Sequence, residues 1–581
     1  MTESWQAPGA GRWEQDAEHV PGPITPYLFA TAQGLFAGMA ESMSRYGIPL
    51  EGFDTRLVAG RLYGRARPIG APDPDRFGDG PKGGPPKPLL WLLFRLHPEL
   101  RRRARAAAQT LRTRRWREDA ARWRGELEPA LRARNLELGR VDLAALDDAA
   151  LAARVDKLDA AFSEGFRQHG RQFGATALPL GLWLRRALDW TGAAPEALLE
   201  VLRGTSPASA ASVTSVDRIA EAVHATDGAS AILRGPQDPQ ERLTALAAAS
   251  PALDAAIEAW LAEDGYRPVT GVDLIDRTAR ELPGLLLDSI GVRLERGTAV
   301  PADEDAAATA ERLRELVPPG HRVEYDALLA DARALYGIRD DDVWVTTQWP
   351  AGMLRHALLE AARRLLGRGA IRETENAFDT LPGEVAGLLR GAAVPGAEEL
   401  AARTAKRRGF ARQTPPLTFG EDPGPLDLGL LPRALAEVTG AMMVTRDIDR
   451  HASSARAANA VARRGSDAPA TADTQNGPVR GLGVSAGRYS GRARVVLDPS
   501  DFSRIEVGDV LVARTTSPAY NVLLPLIGAV VTDLGGLLSH AALVAREFGI
   551  PAVVGTTDAT ARIADGATIT VDAEQGLVLL A

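Results

Sequence analysis

The apolar residues of this chain follow two different rhythms, and the change from one to the other constrains the fold more than any other feature. Between about residues 90 and 450 they recur at spacings of three and four. Leu151, Val155, Leu158 and Phe162 form one such stripe, and Leu354, Leu358, Ala361 and Leu365 form another. After about residue 479 they come as short β-branched runs, "GRARVVLD", "DVLVAR", "GAVVTD", "PAVVG" and "ATITVDAEQGLVLL", cut by Gly, Pro and Asp. A helix buries one stripe per turn and a strand buries alternate residues, so two rhythms in separate blocks predict separate domains. Between them, "ASSARAANAVARRGSDAPATADTQNGP" has the small, polar composition of a linker.

The expected fold is multidomain: a largely α-helical N-terminal and central region followed by a C-terminal α/β domain. A chain of 581 residues is too long for one hydrophobic core to keep growing. The boundaries read from the sequence are 1–90, rich in Pro and Gly; 91–450, helical; 451–478, a flexible linker; and 479–581, the α/β domain. Within the first part, the pattern predicts a helix that ends before Gly47-Ile48-Pro49. Residues 77–90, "FGDGPKGGPPKPLL", read as a loop, since they lack the spacing, preceding strand and following helix of a phosphate-binding loop.

A net charge of -7 gives no reason to expect nucleic acid or an anionic membrane as partner. The most basic run, "RRRARAAAQTLRTRRWREDAARWRGE", is diluted by Glu118, Asp119 and Glu126, and reads as a solvated helix that turns Trp116 and Trp123 to the core. The absence of cysteine excludes disulfides, thiolate metal sites and cysteine nucleophiles. His97, His169, His224, His321 and His451 show no metal-ligand spacing, so no metal site is expected and these histidines are assigned surface or structural roles. The N-terminus lacks a basic segment followed by an apolar run, so the expected location is cytoplasmic. The uncharged stretch from Thr515 to Thr532 is broken by Pro518, Asn521 and Pro525 and is not expected to span a membrane.

One stretch carries chemistry. In "VTDLGGLLSHAALVAREFG", Thr532 and Asp533 close a strand, Gly535 and Gly536 permit a sharp turn, and Ser539 takes the capping position before a helix that starts at His540. Free amides and the positive end of a helix dipole disfavour an imidazolium but favour an anion attached to the ring. A phosphoryl group on His540 meets that description. A histidine that merely begins a core helix is the plain alternative.

The same residues carry a family resemblance. "GGLLSHAALVAREFGIPAVVG", preceded by "GDVLVARTTSPAYNVLL" and followed by "DGATITVDAEQG", resembles the phosphohistidine domain of phosphoenolpyruvate-utilizing enzymes. The resemblance implies that His540 receives a phosphoryl group and that the whole domain swivels to deliver it. Ser539, Gly535, Gly536, Thr532 and Arg546 would support it, Arg546 with a competing structural role in pairing with a carboxylate. Leu538 stands where some dikinases carry a regulatory threonine, so that control is not expected.

The order of a helical part followed by this domain is similar to the rifampin phosphotransferases, whose helical part binds the hydroxyl acceptor. Weaker matches lie in "WEQDAEHVPGPITP", "YDALLADARALYGIRDD" and "LRHALLEAARRLLGRGAI". No segment resembles an ATP-grasp domain, and no barrel follows the phosphohistidine domain. By resemblance the chain alone therefore binds no cofactor, ATP and Mg2+ enter through a separate ATP-grasp polypeptide, and phosphoenolpyruvate is a poor substrate candidate. The acceptor would be a small molecule with a hydroxyl group. Candidate acceptor-side groups are His19 in the first weak match and Arg355, His356, Glu360 and Arg364 on one helix. A solvated, salt-bridged face is the competing account of that helix.

Three functions stay open at this level. The chain is a phosphotransferase component with a phosphorylated His540, an ATP-independent lyase or isomerase that uses His540 as acid or base on a hydroxylated natural product, or a non-catalytic scaffold subunit.

Overall fold

The computed structural model describes residues 5–17, 19–71, 74–77, 86–205, 207–269, 271–296, 304–422, 424, 426–464, 477–497, 504–516, 520 and 526–580. The helices that matter below are α1 (Gln33–Tyr46), α2 (Asp148–Thr191), α3 (Pro195–Glu200), α4 (Pro207–Ala225), α5 (Trp349–Gly367), α6 (Arg433–Arg464) and α7 (His540–Phe548). The chain forms two compact units. One comprises residues 1–182, 273–275 and 342–443, and the other 183–272, 276–341 and 444–581. The region read as one helical domain is thus shared between them, and the division falls inside α2.

The first unit holds the predicted stripes. Leu151, Val155, Leu158 and Phe162 are buried along α2, as are Leu354, Leu358, Ala361 and Leu365 along α5. Trp116 and Trp123 also face the core, but the basic run is not one long helix: it breaks at left-handed Arg114, between the helices Pro98–Thr113 and Trp116–Arg122. Helix α1 ends at a left-handed Gly47, where the sequence predicted its end. Residues 78–85, most of the loop read as not binding phosphate, lie outside the described residues.

The sequence reading missed an antiparallel sheet of order β2-β3-β1-β4, with β1 Trp13–Gln15, β2 Leu50–Val58, β3 Arg61–Pro68 and β4 Thr418–Phe419. Its hairpin turns on Ala59 and Gly60, both at positive φ, which matches the twist of the paired strands. Trp13, Tyr63 and Phe419 form a small core on this sheet, with the Tyr63 and Phe419 rings 5.3 Å apart. The alternation in "GFDTRLVAGRLYGRA" was a legible signal, masked by the surrounding Pro and Gly.

A close crossing locks α2 to the segment that leads into α5. That segment, Trp344–Gln348, is a π-helical turn, and a Cβ added to Gly165 would overlap the carbonyl oxygen of Thr346. Gly165→Ala is therefore expected to force the two backbones apart and to lower stability by about 1–3 kcal/mol. Amide hydrogen exchange of α2 and of residues 342–349 measures that loss; unchanged protection would show that the crossing relaxes without cost.

An acid-sensitive clamp lies in the same unit. Arg102 and Arg103 both bind Glu99, and Arg103 also donates to the carbonyl of Ile48 at 2.8 Å. Hydrogen bonding from Arg102, outweighing the opposing effect of partial burial, pulls the Glu99 carboxyl down to about 2, with Arg103 adding to the shift. A depressed carboxylate contributes stability that is present above its unfolded pKa and lost as pH falls through the folded one. The window is thus from about pH 4.5 down to about 2. Solvent screening reduces the contribution to about 1–2 kcal/mol. Glu99→Gln should flatten this part of the acid-unfolding curve, and an acid curve identical to that of the parent chain would contradict the assignment.

The second unit combines helices of residues 183–341 with the C-terminal sheet. That sheet has eight strands in the order β5-β12-β11-β7-β8-β9-β10-β6. They are β5 Val479–Arg480, β6 Leu482–Ser485, β7 Arg488–Val496, β8 Val510–Ala513, β9 Ala529–Thr532, β10 Ala552–Val554, β11 Thr568–Asp572 and β12 Leu577–Leu580. Each β-branched run read from the sequence supplies a strand. The centre, β7-β8-β9-β10, is parallel, and antiparallel pairs flank it. Val495, Val510, Val512, Val531, Val553, Ile569 and Val571 are buried in its core. Parallel neighbours need a crossover, and α7 supplies it between β9 and β10.

The segment read as a linker is in part helical, because α6 runs on to Arg464. Its alanines, taken as loose and polar, are the strongest helix formers. Residues 465–476 lie outside the described residues. Among the described residues no helix is long and apolar enough to cross a membrane, and part of the Thr515–Thr532 stretch forms β9.

Candidate functional site

The site around His540 is built at the C-terminal end of β9, where loops of a parallel sheet commonly carry ligand groups. Thr532 is fully buried, and its hydroxyl donates to the carbonyl of Leu534 at 2.6 Å. Its own carbonyl accepts both the backbone N–H and the hydroxyl of Thr556, each at 3.0 Å. Asp533 accepts from the backbone N–H of Thr560 at 2.9 Å and from its hydroxyl. The strand end is thereby tied to the segment after β10. Its loop starts from a fixed base.

Gly535, at φ +116°, then reverses the chain. A Cβ there would press on Ser539 Oγ at 3.0 Å. Ser539 Oγ donates to the carbonyl of Gly536 at 2.7 Å and accepts from the Ala542 N–H at 3.4 Å, which caps α7 as the sequence predicted. His540 is the first helical residue. It is partly exposed between buried Ser539 and Ala541, and its Nδ1 atom is covered.

Arg546 sits one and a half turns on, 3% exposed. The sequence left open a pairing with a carboxylate, but among the described residues its guanidinium bonds backbone instead: Val484 O at 3.2 Å and Leu537 O at 3.0 Å. It therefore pins the loop before His540 to β6. A buried guanidinium and the amide-rich start of α7 together give this loop positive potential, which suits an anion on the ring.

The acceptor-side candidates lie in the first unit, and most of their polar groups are engaged internally. His19 is exposed, with Nδ1 2.8 Å from Asp16 Oδ1. Buried Arg355 donates to Leu274 O at 2.8 Å, and its guanidinium lies 5.0 Å from the Phe378 ring centre. His356 is half-buried. Glu360 binds Arg363 at 2.8 Å and Arg364 at 2.7 Å, and hydrogen bonds, first from Arg363, hold its carboxyl below the usual range. Arg364 reaches on to Leu146 O, Leu143 O and Asp148. For Glu360 and Arg364 the salt-bridged face is the account that the contacts favour: the pair braces α5 against residues 143–148.

Two features escaped the sequence. The Nδ1 atom of His169 on α2 lies 3.0 Å from Oδ2 of fully buried Asp342, beside the Gly165 crossing. A buried carboxylate orients an imidazole and fixes its tautomer, which favours the structural over the surface alternative read for His169. Asp273 accepts from the backbone N–H and the hydroxyl of Thr25, both at 2.7 Å, and burial pushes its carboxyl up. Separations of 173 and 248 residues leave no local signal for either contact. Among the described residues no three His, Asp or Glu side chains converge as a metal-binding group.

Comparison with known proteins agrees with this geometry. The PEP-utilising enzyme mobile domain matches residues 505–576, and the rifampicin phosphotransferase fourth domain matches residues 169–340. A rifampicin phosphotransferase of a Streptomyces species is 29% identical over 483 residues, covering 78% of this chain and 50% of that protein. The rifampicin phosphotransferase of Streptomyces sviceus is 30% identical over 339 residues, 56% of this chain and 34% of that protein. The uncharacterized phosphotransferase YvkC of Bacillus subtilis is 28% identical over 334 residues, 55% of this chain and 36% of that protein. The chain thus spans between about a third and a half of the length of these relatives. With the His540 loop on a sheet of the expected strands, residues 505–576 are similar to the mobile domains of PEP-utilising enzymes and residues 169–340 to the fourth domains of rifampicin phosphotransferases.

Proposed function

We propose that this chain is a phosphotransferase component in which His540 accepts a phosphoryl group and passes it to a hydroxyl of a small molecule bound by the helical region. The observation that carries the reading is a partly exposed histidine at the amide-rich start of α7, within the segment that matches the mobile domain. In this reading ATP and Mg2+ are handled by a separate ATP-grasp polypeptide. The relatives named for rifampicin support a hydroxylated natural product as acceptor, and rifampicin is the first probe.

The chemistry balances simply. The acceptor oxygen forms a bond to phosphorus as the bond from phosphorus to the imidazole nitrogen breaks, and the hydroxyl proton restores the neutral ring. Catalysis then consists of positioning and of stabilising charge on the phosphoryl oxygens. The start of α7 and buried Arg546 supply positive potential beside the phosphoryl oxygens.

The test is intact-mass analysis after exposure to ATP, alone and with cell extract, followed by mapping of acid-labile phosphate. One phosphate gained only with extract, and located on His540, supports a split system. No phosphate under any condition, with nucleotide-free turnover lost in His540→Ala, would replace this reading by acid–base chemistry.

A further inference from the structure

The sequence of α7 breaks an electrostatic rule at its far end. Glu547 is the penultimate residue of a helix whose C-terminus already carries negative dipole charge, where a cation is favoured. The contact it makes supplies the reason. Its carboxylate accepts from two successive backbone amides of the helical part of the same unit, Gly204 N at 2.8 Å and Thr205 N at 3.3 Å.

Those amides form a built anion receptor. Gly204 is at φ +76°, which turns neighbouring N–H groups toward one side in the manner of an amide nest. Thr205 Oγ1 donates to Leu202 O at 2.7 Å, and the Arg333 guanidinium binds the carbonyl of Val201, so the turn after α3 is held from two sides. Val201, Leu202 and Arg203 are buried in it. Both amides also lie just ahead of α4, a 19-residue helix whose start is positive. The carboxylate thus exchanges the negative end of its own helix for the positive end of another.

The geometry points to Glu547 as a positioning residue that seats the His540 helix on the helical part through the amide nest of Gly204 and Thr205. His540 and Glu547 occupy the two ends of one nine-residue helix, so a contact at one end fixes the bearing of the other. The seat is made of a charge and two N–H groups rather than interlocking side chains, and it can be broken and remade as a mobile domain requires. This assignment deepens the phosphocarrier reading and rests on it for its catalytic meaning.

The experiment uses the full chain, whose lack of cysteine allows a clean spin-label pair at Ser230→Cys and Gln575→Cys, both exposed positions of this unit. Electron–electron distance measurements should give one dominant population in the parent, a broader and longer distribution in Glu547→Ala, and an intermediate one in Glu547→Gln, which keeps an acceptor without the charge. Hydrogen exchange at Gly204 and Thr205 should speed up about tenfold in Glu547→Ala, as expected for loss of a charge-assisted bond. Distances and exchange rates equal to those of the parent, or changes as large in the exposed control Glu258→Ala, would overturn the seat. Phosphate content of His540 is scored separately, so an absent phosphohistidine with an intact seat counts against the carrier reading alone.

Discussion

On the proposed carrier reading, His540→Ala should remove acid-labile phosphate from the chain completely, a fall of at least about a hundredfold, because the substitution deletes the proposed nucleophile. The remaining seven of the eight histidines set the background of the measurement. The substitution leaves the fold intact, since Ser539 still caps α7 and Ala is the better helix former at its start. Label retained at parent level in His540→Ala would end the carrier reading, whatever other residue proved to hold it. His540→Gln, which keeps polarity and size without a ring nitrogen to phosphorylate, should behave like the alanine variant. A scaffold subunit would show no dependence on either change.

Arg546→Met has the second largest expected effect. The substitution leaves the buried carbonyls of Val484 and Leu537 without their donors, a cost of about 1–3 kcal/mol for each. Relief from burying a guanidinium offsets part of this, and the net loss should be about 2–4 kcal/mol. No tryptophan lies between residues 479 and 581, so the loss is read by hydrogen exchange over residues 534–543 rather than by fluorescence. Phosphate loading should fall with it, because Leu537 stands three residues before His540 and is held in place by this side chain. Arg546→Lys should rescue only part of the loss, since one ammonium cannot reproduce the two-pronged reach to two carbonyls. Full protection in Arg546→Met would mean that the loop is held by Ser539 and Thr532 alone.

These two residues show what kind of information the sequence carried. The position of His540 at the start of α7 was legible because a strand, a glycine turn, a cap and a helix follow one another within a few residues. Arg546 was legible as part of the motif, but not its partners. A carboxylate was the natural guess for a buried guanidinium, and only the approach of β6 under the loop brings two carbonyls to it. The polar face of α5 could be read either way from spacing alone. Arg364 meets residues 143–148 because of how α5 lies in the first unit, and those contacts favour bracing. The small N-terminal sheet was missed for a related reason. Its β1 and β4 are separated by about four hundred residues, so the edge that completes it is invisible to any local window.

By itself, the sequence determined the two rhythms of burial, the strands of the C-terminal sheet, and the placing of an imidazole where amides and dipole favour an attached anion. All of these depend on periods and neighbours of a few residues, which a linear text preserves. Only the tertiary structure decided that His169 meets Asp342, that Arg546 bonds carbonyls, and that Glu547 reaches Gly204 and Thr205. A charged or polar side chain is satisfied by whatever the fold brings within about 3 Å of it, and that choice is made by packing between segments far apart in the chain.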